Sequence, residues 1–164
     1  NSSRKSMSTC IRHPTIPGAV RLFCKGASEM VLNKCSYMMV NDRPASFSSA
    51  DYAEINRTVI EPMASDGLRT ICVAYKDYVP ADKKTLDNEE AMRGAINWDE
   101  DEAKIVSNLT CVCICGIQDP VRTEVPDAIR KCKSAGIVVR MVTGDNVNTA
   151  RSIARACGMY LLHP

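Results

Sequence analysis

Two apolar runs in the last third of the chain constrain its fold more than any other feature. Leu109–Ile117 and Ile137–Val142 are nearly continuous apolar segments, and segments with helical periodicity follow them, at about residues 123–134 and 147–156. The order strand, helix, strand, helix is typical of a parallel sheet with right-handed crossovers, whose strands are covered on both faces. We therefore predict an α/β fold, in which two strands alone are too few to complete the sheet.

The first hundred residues have a less regular pattern. Residues 19–25 and 68–75 are predicted strands, and residues 28–34 a short helix. Ser48 and Asp51 resemble a capping box with Asp in place of Glu, which predicts the start of a longer helix that Asp66-Gly67 ends. We accordingly divide the chain into an α+β region, residues 1–104, and part of a parallel-sheet domain, residues 105–164.

Composition and charge exclude several functional classes. The 164 residues carry a formal net charge of +2, which is too small to favour nucleic acid as a partner. The longest apolar run, Leu109–Ile117, is far shorter than the roughly 20 residues that a membrane-spanning helix needs.

The nine cysteines do not indicate a disulfide framework or a zinc site, because their number is odd and no Cys-x-x-Cys pair is present. Cys111, Cys113 and Cys115 alternate along a predicted strand, which places all three on one face. We predict that they pack in the core as small apolar side chains, reduced as in the cytosol.

The turn Thr143-Gly144-Asp145 lies where the second strand of the predicted sheet ends, the edge at which such sheets bind ligands. Gly144 permits close backbone approach, Thr143 offers a hydroxyl, and the following helix start favours an anion. Asp145 would repel a phosphate, so we expect it to orient a lysine or a metal-bound water that touches the phosphate. An ordinary strand-to-helix turn, with Asp145 and Asn146 as cap residues of the following helix, explains the three residues equally well.

Polar residues also stand at the ends of other predicted strands. Asp119, in the segment Asp119-Pro-Val-Arg122, follows the first apolar strand and is expected on the same sheet edge as Thr143. Lys25 and Gly26 end a strand of the first region, where a lysine can bind phosphate or pack along a base. Lys5 and Arg69 are candidates of the same kind, although solvent exposure is the default for each.

Taken in order and with their spacing, these segments resemble the P-type ATPases, ion pumps that are phosphorylated on an aspartate. The resemblance covers nearly the whole chain. Residues 60–70, 119–129 and 140–150 specifically resemble the branch of plasma-membrane calcium pumps. The resemblance implies that the chain holds the C-terminal part of an ATP-binding (N) domain, followed by part of a Rossmann-like, haloacid-dehalogenase-type phosphorylation (P) domain.

The resemblance also implies roles for individual residues. Lys5 and Lys25, with Gly26, match residues of the adenine pocket, and Arg69 matches an arginine that reaches the ATP phosphates. Asp119 matches an acidic residue near the domain hinge. Thr143, Gly144 and Asp145 match the turn that contacts the transferred phosphoryl group.

What is missing completes the expectation. The family's Asp-Lys-Thr-Gly-Thr segment, which holds the phosphorylated aspartate, is absent, and Asp82-Lys-Lys-Thr85 lacks its glycine and follows no apolar strand. The ligands of Mg²⁺ are expected beyond this chain, as are the remaining P-domain strands, the actuator domain and the transmembrane helices. We expect ATP binding on the cytosolic face of a plasma-membrane pump that exports Ca²⁺, and no ATP hydrolysis by these residues alone.

Two alternatives stay open. The chain is either part of such a pump, for calcium or for another cation, or a non-catalytic nucleotide-binding or interaction module. A free-standing phosphatase of the same superfamily would need an Asp-x-Asp nucleophile after a buried strand. Asp99-Glu-Asp101 has those residues without the strand.

Overall fold

The computed structural model describes residues 4–79, 96–97 and 100–159. The Asp82–Thr85 segment, Trp98 and Asp99 lie outside this part of the chain. Two compact units are formed, and we name them by their content. The sheet unit comprises Asn1–Glu54 and Ile71–Ile114, and the helical unit comprises Ile55–Thr70 and Cys115–Pro164.

The described residues form six strands: β1 (Ser6–Arg12), β2 (Val20–Ala27), β3 (Cys35–Val40), β4 (Arg43–Ser46), β5 (Arg69–Tyr78) and β6 (Leu109–Ile117). They form one sheet in the order β1-β2-β5-β6-β3-β4. β1 with β2, β2 with β5 and β3 with β4 pair antiparallel, whereas β3 and β6 are parallel. The predicted α/β class is confirmed, with a sheet of mixed direction.

The helices of the described residues are α1 (Ser28–Leu32), α2 (Ser49–Ile55), a π-helical turn (Asn56–Ile60), α3 (Glu61–Ser65), α4 (Glu102–Ile105), α5 (Val125–Ser134) and α6 (Val147–Ala156). Each helix in the described part of the chain is too short or too polar to cross a membrane.

Side-chain alternation along β2 separates the two faces of the sheet. Val20, Leu22 and Cys24 are buried, whereas Phe23 is half-buried and Lys25 is exposed on the opposite face. Because successive strand residues point to opposite faces, the apolar positions face the core together. Lys25 therefore projects from the less buried face.

The predicted capping box at the start of α2 is confirmed. The backbone N–H of Ser48 donates to Asp51 Oδ2 at 2.8 Å, and the N–H of Asp51 donates to Ser48 Oγ at 3.3 Å. The helix continues through the π-helical turn into α3, where Pro62 occupies the first turn. Because proline lacks an N–H, a local change of hydrogen-bond spacing accommodates it without ending the helix.

The predicted strand Ile137–Val142 is wrong, because these residues pair with no strand in the part of the chain that the structure describes. Val142 is 95% exposed and Val138 is also largely exposed. Strand β6, its expected neighbour, instead lies between β5 and β3 in the sheet, and it pairs with β3 through Leu109, Thr110 and Cys111. Without a paired strand, the run from Ile137 to Val142 gains no ladder hydrogen bonds.

The cysteine prediction is correct for Cys111 and wrong for Cys113 and Cys115. Cys111 is buried where β6 pairs with β3, and its Sγ lies 3.6 Å from that of Cys72. Its hydrogen bond with Cys72, together with burial, raises the pKa of the Cys72 thiol, which therefore stays protonated. Cys113 and Cys115 are exposed because the second half of β6 extends beyond the buried part of the sheet.

Candidate functional site

The turn before α6 closes on itself through side-chain hydrogen bonds. Thr143 Oγ1 donates to Asp145 Oδ2 at 2.9 Å and accepts the backbone N–H of Asp145 at 3.1 Å. Asn146 then caps the helix, since its Oδ1 accepts the N–H of Asn148 at 2.9 Å. The turn thus orients the Thr143 hydroxyl and the Asp145 carboxylate at the positive end of the α6 dipole.

Space is open above Gly144. A Cβ placed at this glycine would meet nothing within 4 Å, and its φ does not lie in the left-handed region. The turn itself therefore does not require glycine here. Its small size leaves room for a ligand to approach the backbone N–H groups at the helix start.

Arg69 joins the two acidic residues that the sequence placed on one sheet edge. Its Nη2 lies 3.3 Å from Asp119 Oδ2 and 3.3 Å from Asp145 Oδ2. The Asp145 side chain is 22% exposed, whereas that of Asp119 is 58% exposed. All three residues belong to the helical unit. A guanidinium between two carboxylates, beside a hydroxyl and a helix start, forms a compact charged cluster, which we call the Arg69 cluster.

In the structure, Asp145 contacts the positively charged side chain of Arg69. Sequence reasoning expected a lysine or a metal-bound water beside this carboxylate and grouped Arg69 with the lysines of the first region. The charge of Asp145, which alone would repel a phosphate, is paired with the Arg69 guanidinium. The residues of the pair are 76 positions apart, so no local pattern could have joined them.

Lys5, Lys25 and Gly26 lie together in the sheet unit. Gly26 pairs with Ser6 across the β1–β2 ladder, and Lys25 pairs with Met7. A Cβ at Gly26 would lie 2.3 Å from the carbonyl oxygen of Lys5. That oxygen accepts the N–H of Ala27 at 2.9 Å, and Lys5 adopts a positive φ of 46°. Glycine is therefore required at position 26 of β2, because the backbone of Lys5 packs against it where the chain enters β1.

The exposed face near Lys25 also carries aromatic groups. Phe23, two residues earlier on β2, lies on the same face, and its ring centroid is 6.5 Å from that of Tyr75. The Arg21 guanidinium stacks 4.6 Å above the Tyr75 ring. This face combines flat apolar rings with a lysine, which suits a base attached to phosphates.

At the far end of this face, an ion-pair network ties the loop after β1 to β5. Arg21 Nε and Nη2 donate to the Asp77 carboxylate at 2.7 and 2.8 Å. The Arg21 guanidinium holds the pKa of Asp77 below its ordinary range. His13 Nε2 lies 3.3 Å from the same carboxylate, while its Nδ1 accepts the N–H groups of Thr15 and Ile16. His13 therefore orders its own loop.

Among the residues that the structure describes, no group of three or more His, Cys, Asp or Glu side chains is arranged to hold a metal ion. Both carboxylates of the Arg69 cluster face the guanidinium. Arg69 is therefore the one group of this cluster that can attract an anion.

Comparison with known proteins gives this geometry a context. The family model of the P-type ATPase cytoplasmic domain N matches residues 1–124. The chain is 53% identical over 160 residues, 97% of its length, to human plasma membrane calcium-transporting ATPase 4, of which it covers 12%.

Other relatives agree. Plasma membrane calcium-transporting ATPase 2 of Oreochromis mossambicus is 53% identical over 165 residues, all of this chain and 13% of that protein. Human plasma membrane calcium-transporting ATPase 1 is 50% identical over 165 residues, with 12% of its length covered. The chain thus spans about one eighth of these curated relatives, and the resemblance seen in its motifs is confirmed.

Proposed function

This chain belongs to the P-type ATPase family, and we propose that it binds ATP and contributes part of the phosphoryl-transfer site of a calcium-exporting pump. The relatives that match its whole length are named as calcium-transporting ATPases of the plasma membrane. We propose the cytosolic face of that membrane as its location. We also propose residues 1–104 as ATP-binding domain and residues 105–164 as phosphorylation domain.

The Arg69 cluster is the observation that supports this proposal best. Arg69 lies against two carboxylates at 3.3 Å, distances at which exposed ion pairs contribute little stability. A polyphosphate, with more charge and more acceptor oxygens, competes well for such a guanidinium. Arg69 would bind the ATP phosphates, and Asp145 would hold the guanidinium ready in their absence.

The turn at Thr143 would then meet the transferred phosphoryl group. The Thr143 hydroxyl and the N–H groups at the start of α6 are donors fixed before the ligand arrives. Fixed donors stabilise charge that develops during transfer without reorganising. The phosphorylated aspartate would come from outside these 164 residues, so this turn provides positioning and charge stabilisation only.

Lys5, Lys25 and Gly26 would form the adenine side. The stem of Lys25 offers an apolar edge next to Phe23, and its ammonium offers a point charge to phosphate. Gly26 would keep the backbone of Lys5 close to the end of β2. Mg²⁺, which accompanies ATP in this family, would be held by ligands elsewhere in the pump, because both described carboxylates of the cluster face Arg69.

The test is a titration of the chain with ATP, followed by NMR, in which Lys25→Ala should weaken ATP binding about tenfold, because it removes a charged contact. The matched control is Lys131→Ala, an exposed lysine of α5 in the other unit, which should leave the affinity unchanged. An unchanged affinity in Lys25→Ala would refute the pocket assignment. Absence of any shift near Lys25 in the unsubstituted chain would instead support an interaction module that does not bind nucleotide.

A further inference from the structure

A buried threonine links α6, the helix that follows Asp145, to the residue before Arg69. Thr149 is 1% exposed, and its Oγ1 donates to the carbonyl oxygen of Leu68 at 3.0 Å. Threonine inside a helix commonly bonds a carbonyl of the preceding turn of its own helix. Here the bond instead reaches a residue 81 positions earlier, which directly precedes Arg69.

Close packing reinforces this hydrogen bond on both sides of Leu68. A Cβ at Gly67 would lie 3.0 Å from Ser152 Oγ, one turn further along α6. A Cβ at Gly116, near the end of β6, would lie 2.7 Å from Leu68 Cδ1. Residues 67–68 therefore pack between α6 and the last residues of β6, and the backbone that carries Arg69 has little freedom to shift.

Thr149 lies near the start of α6, close in sequence to Asp145. Asn146, the cap of α6, directly follows Asp145, and Thr149 lies one helical turn later. The helix that begins at the phosphate turn thus also holds the residue before Arg69. One rigid element fixes both partners of the Arg69–Asp145 pair.

The relative strength of the contacts decides which of them positions Arg69. The two ion pairs of Arg69 are half-exposed and 3.3 Å long, so solvent screens them. The Thr149 side chain is buried and its hydrogen bond to Leu68 is partly buried, so removing the hydroxyl would cost the Leu68 carbonyl this partner in a site that is only partly open to water. The backbone anchor therefore outweighs the ion pairs.

We propose that Thr149 is a positioning residue, whose hydroxyl holds Arg69 beside the Thr143–Asp145 turn and so presents it to the phosphates of a nucleotide. The presentation to nucleotide rests on the function proposed above. The anchoring of Arg69 itself does not depend on it, and the two are tested separately.

The first measurement is made on the chain without nucleotide. The Nε–Hε resonance of Arg69 is compared by NMR in the unsubstituted chain, Thr149→Val and Thr149→Ser. Valine keeps the shape of the threonine side chain and removes its hydroxyl. If Arg69 then leaves Asp145, its Nε–Hε resonance should move towards the position that it has in Asp145→Asn, where the charge of that partner is absent. Serine keeps the hydroxyl and should restore the original resonance. Thr110→Val, the same change at a buried threonine of β6, is the control and should leave Arg69 unaffected.

The second measurement adds nucleotide. Thr149→Val should weaken ATP binding about fivefold, the effect of one hydrogen bond, and leave adenosine binding unchanged because adenosine lacks phosphates. Combined with Arg69→Ala, it should cause no further loss, because Thr149 acts through Arg69.

The outcomes separate the two proposals. An Arg69 resonance that Thr149→Val leaves unmoved overturns the positioning role. So does a Thr149→Ser variant whose Arg69 resonance moves as far as that of Asp145→Asn, a comparison that does not require the valine variant to fold. Further loss of ATP affinity in the double variant also overturns it. A resonance that moves as expected in a chain that does not bind ATP would uphold the anchoring of Arg69 and reject the proposed function.

Discussion

The sheet unit and the helical unit contain similar apolar runs, which differ in burial and in strand pairing. In the sheet unit, Leu109 begins a strand with neighbours on both sides and is fully buried. In the helical unit, residues 137–142 are equally apolar, yet Val142 lies almost wholly in solvent. The contrast shows that an apolar run does not by itself make a strand, because its backbone groups also need a paired neighbour.

The largest effect should come from truncating one residue in each run. Leu109→Ala should lower the free energy of unfolding by about 3 kcal/mol, because it opens a cavity in the core. Val142→Ala should change it by less than about 0.5 kcal/mol, since this side chain packs against little. Urea denaturation measures both, and hydrogen exchange should be slow at residues 110–112 and fast at residues 138–142. A loss at Val142 comparable to that at Leu109 would mean that this segment is packed after all.

A smaller effect should come from adding a methyl group to a glycine of each unit. Gly26→Ala should destabilise the sheet unit by about 2 kcal/mol, because the new Cβ would lie 2.3 Å from a backbone oxygen and the chain would have to shift. Gly144→Ala has open space and should alter stability by less than about 0.5 kcal/mol. Thermal unfolding compares the two variants. Equal stability would show that the entry into β1 tolerates a side chain.

The smallest effect should come from removing one carboxylate of an ion pair in each unit. Asp77→Asn should cost about 1.5 kcal/mol at pH 7, because Asp77 accepts two hydrogen bonds from Arg21 in a half-buried site. Asp127→Asn breaks an exposed pair with Arg130 at 3.0 Å within α5, and should cost less than about 0.5 kcal/mol.

The pH dependence of the Asp77 effect has a definite sign. Its pKa is lower in the folded chain than in the unfolded chain, so the contribution is complete above about pH 4, the usual range of an aspartate. It is lost as the pH falls through the folded pKa. Unfolding measured from pH 7 to pH 2.5 should therefore show the gap between Asp77→Asn and the unsubstituted chain closing in acid. A gap that stays constant would contradict the role of the ionised carboxylate.

Much of the local structure could be predicted because its causes lie within a few residues. The capping box at Ser48, the Asn146 cap and the helix 147–156 were all predicted, since each depends on side chains that bond neighbouring backbone groups. Gly67, with φ +82°, ends its helix as predicted. The π-helical turn before Pro62 was not predicted. The sequence showed only a proline, which a kink accommodates as well as a change of spacing.

The candidate site could be predicted as a set of residues but not as an arrangement. Lys5, Lys25, Gly26, Asp119 and the Thr143–Asp145 turn were recognised from their motifs, and their proposed roles await the experiments above. The placement of Arg69 against Asp119 and Asp145 was not predicted, nor was the bond from Thr149 to Leu68. A threonine inside an amphipathic helix looks like any other polar residue until its partner is known.

The family was recognisable from the resemblance of its motifs. The sequence by itself also determined the caps, the helix ends and the strand β6, because short-range sterics and hydrogen bonding act within about one helical turn or one strand. Only the tertiary structure decided which strands flank β6, that residues 137–142 stay unpaired, and that Arg69 meets two carboxylates 50 and 76 positions away. Such contacts depend on which edges and faces remain free once the chain has packed, and that competition is settled over the whole fold.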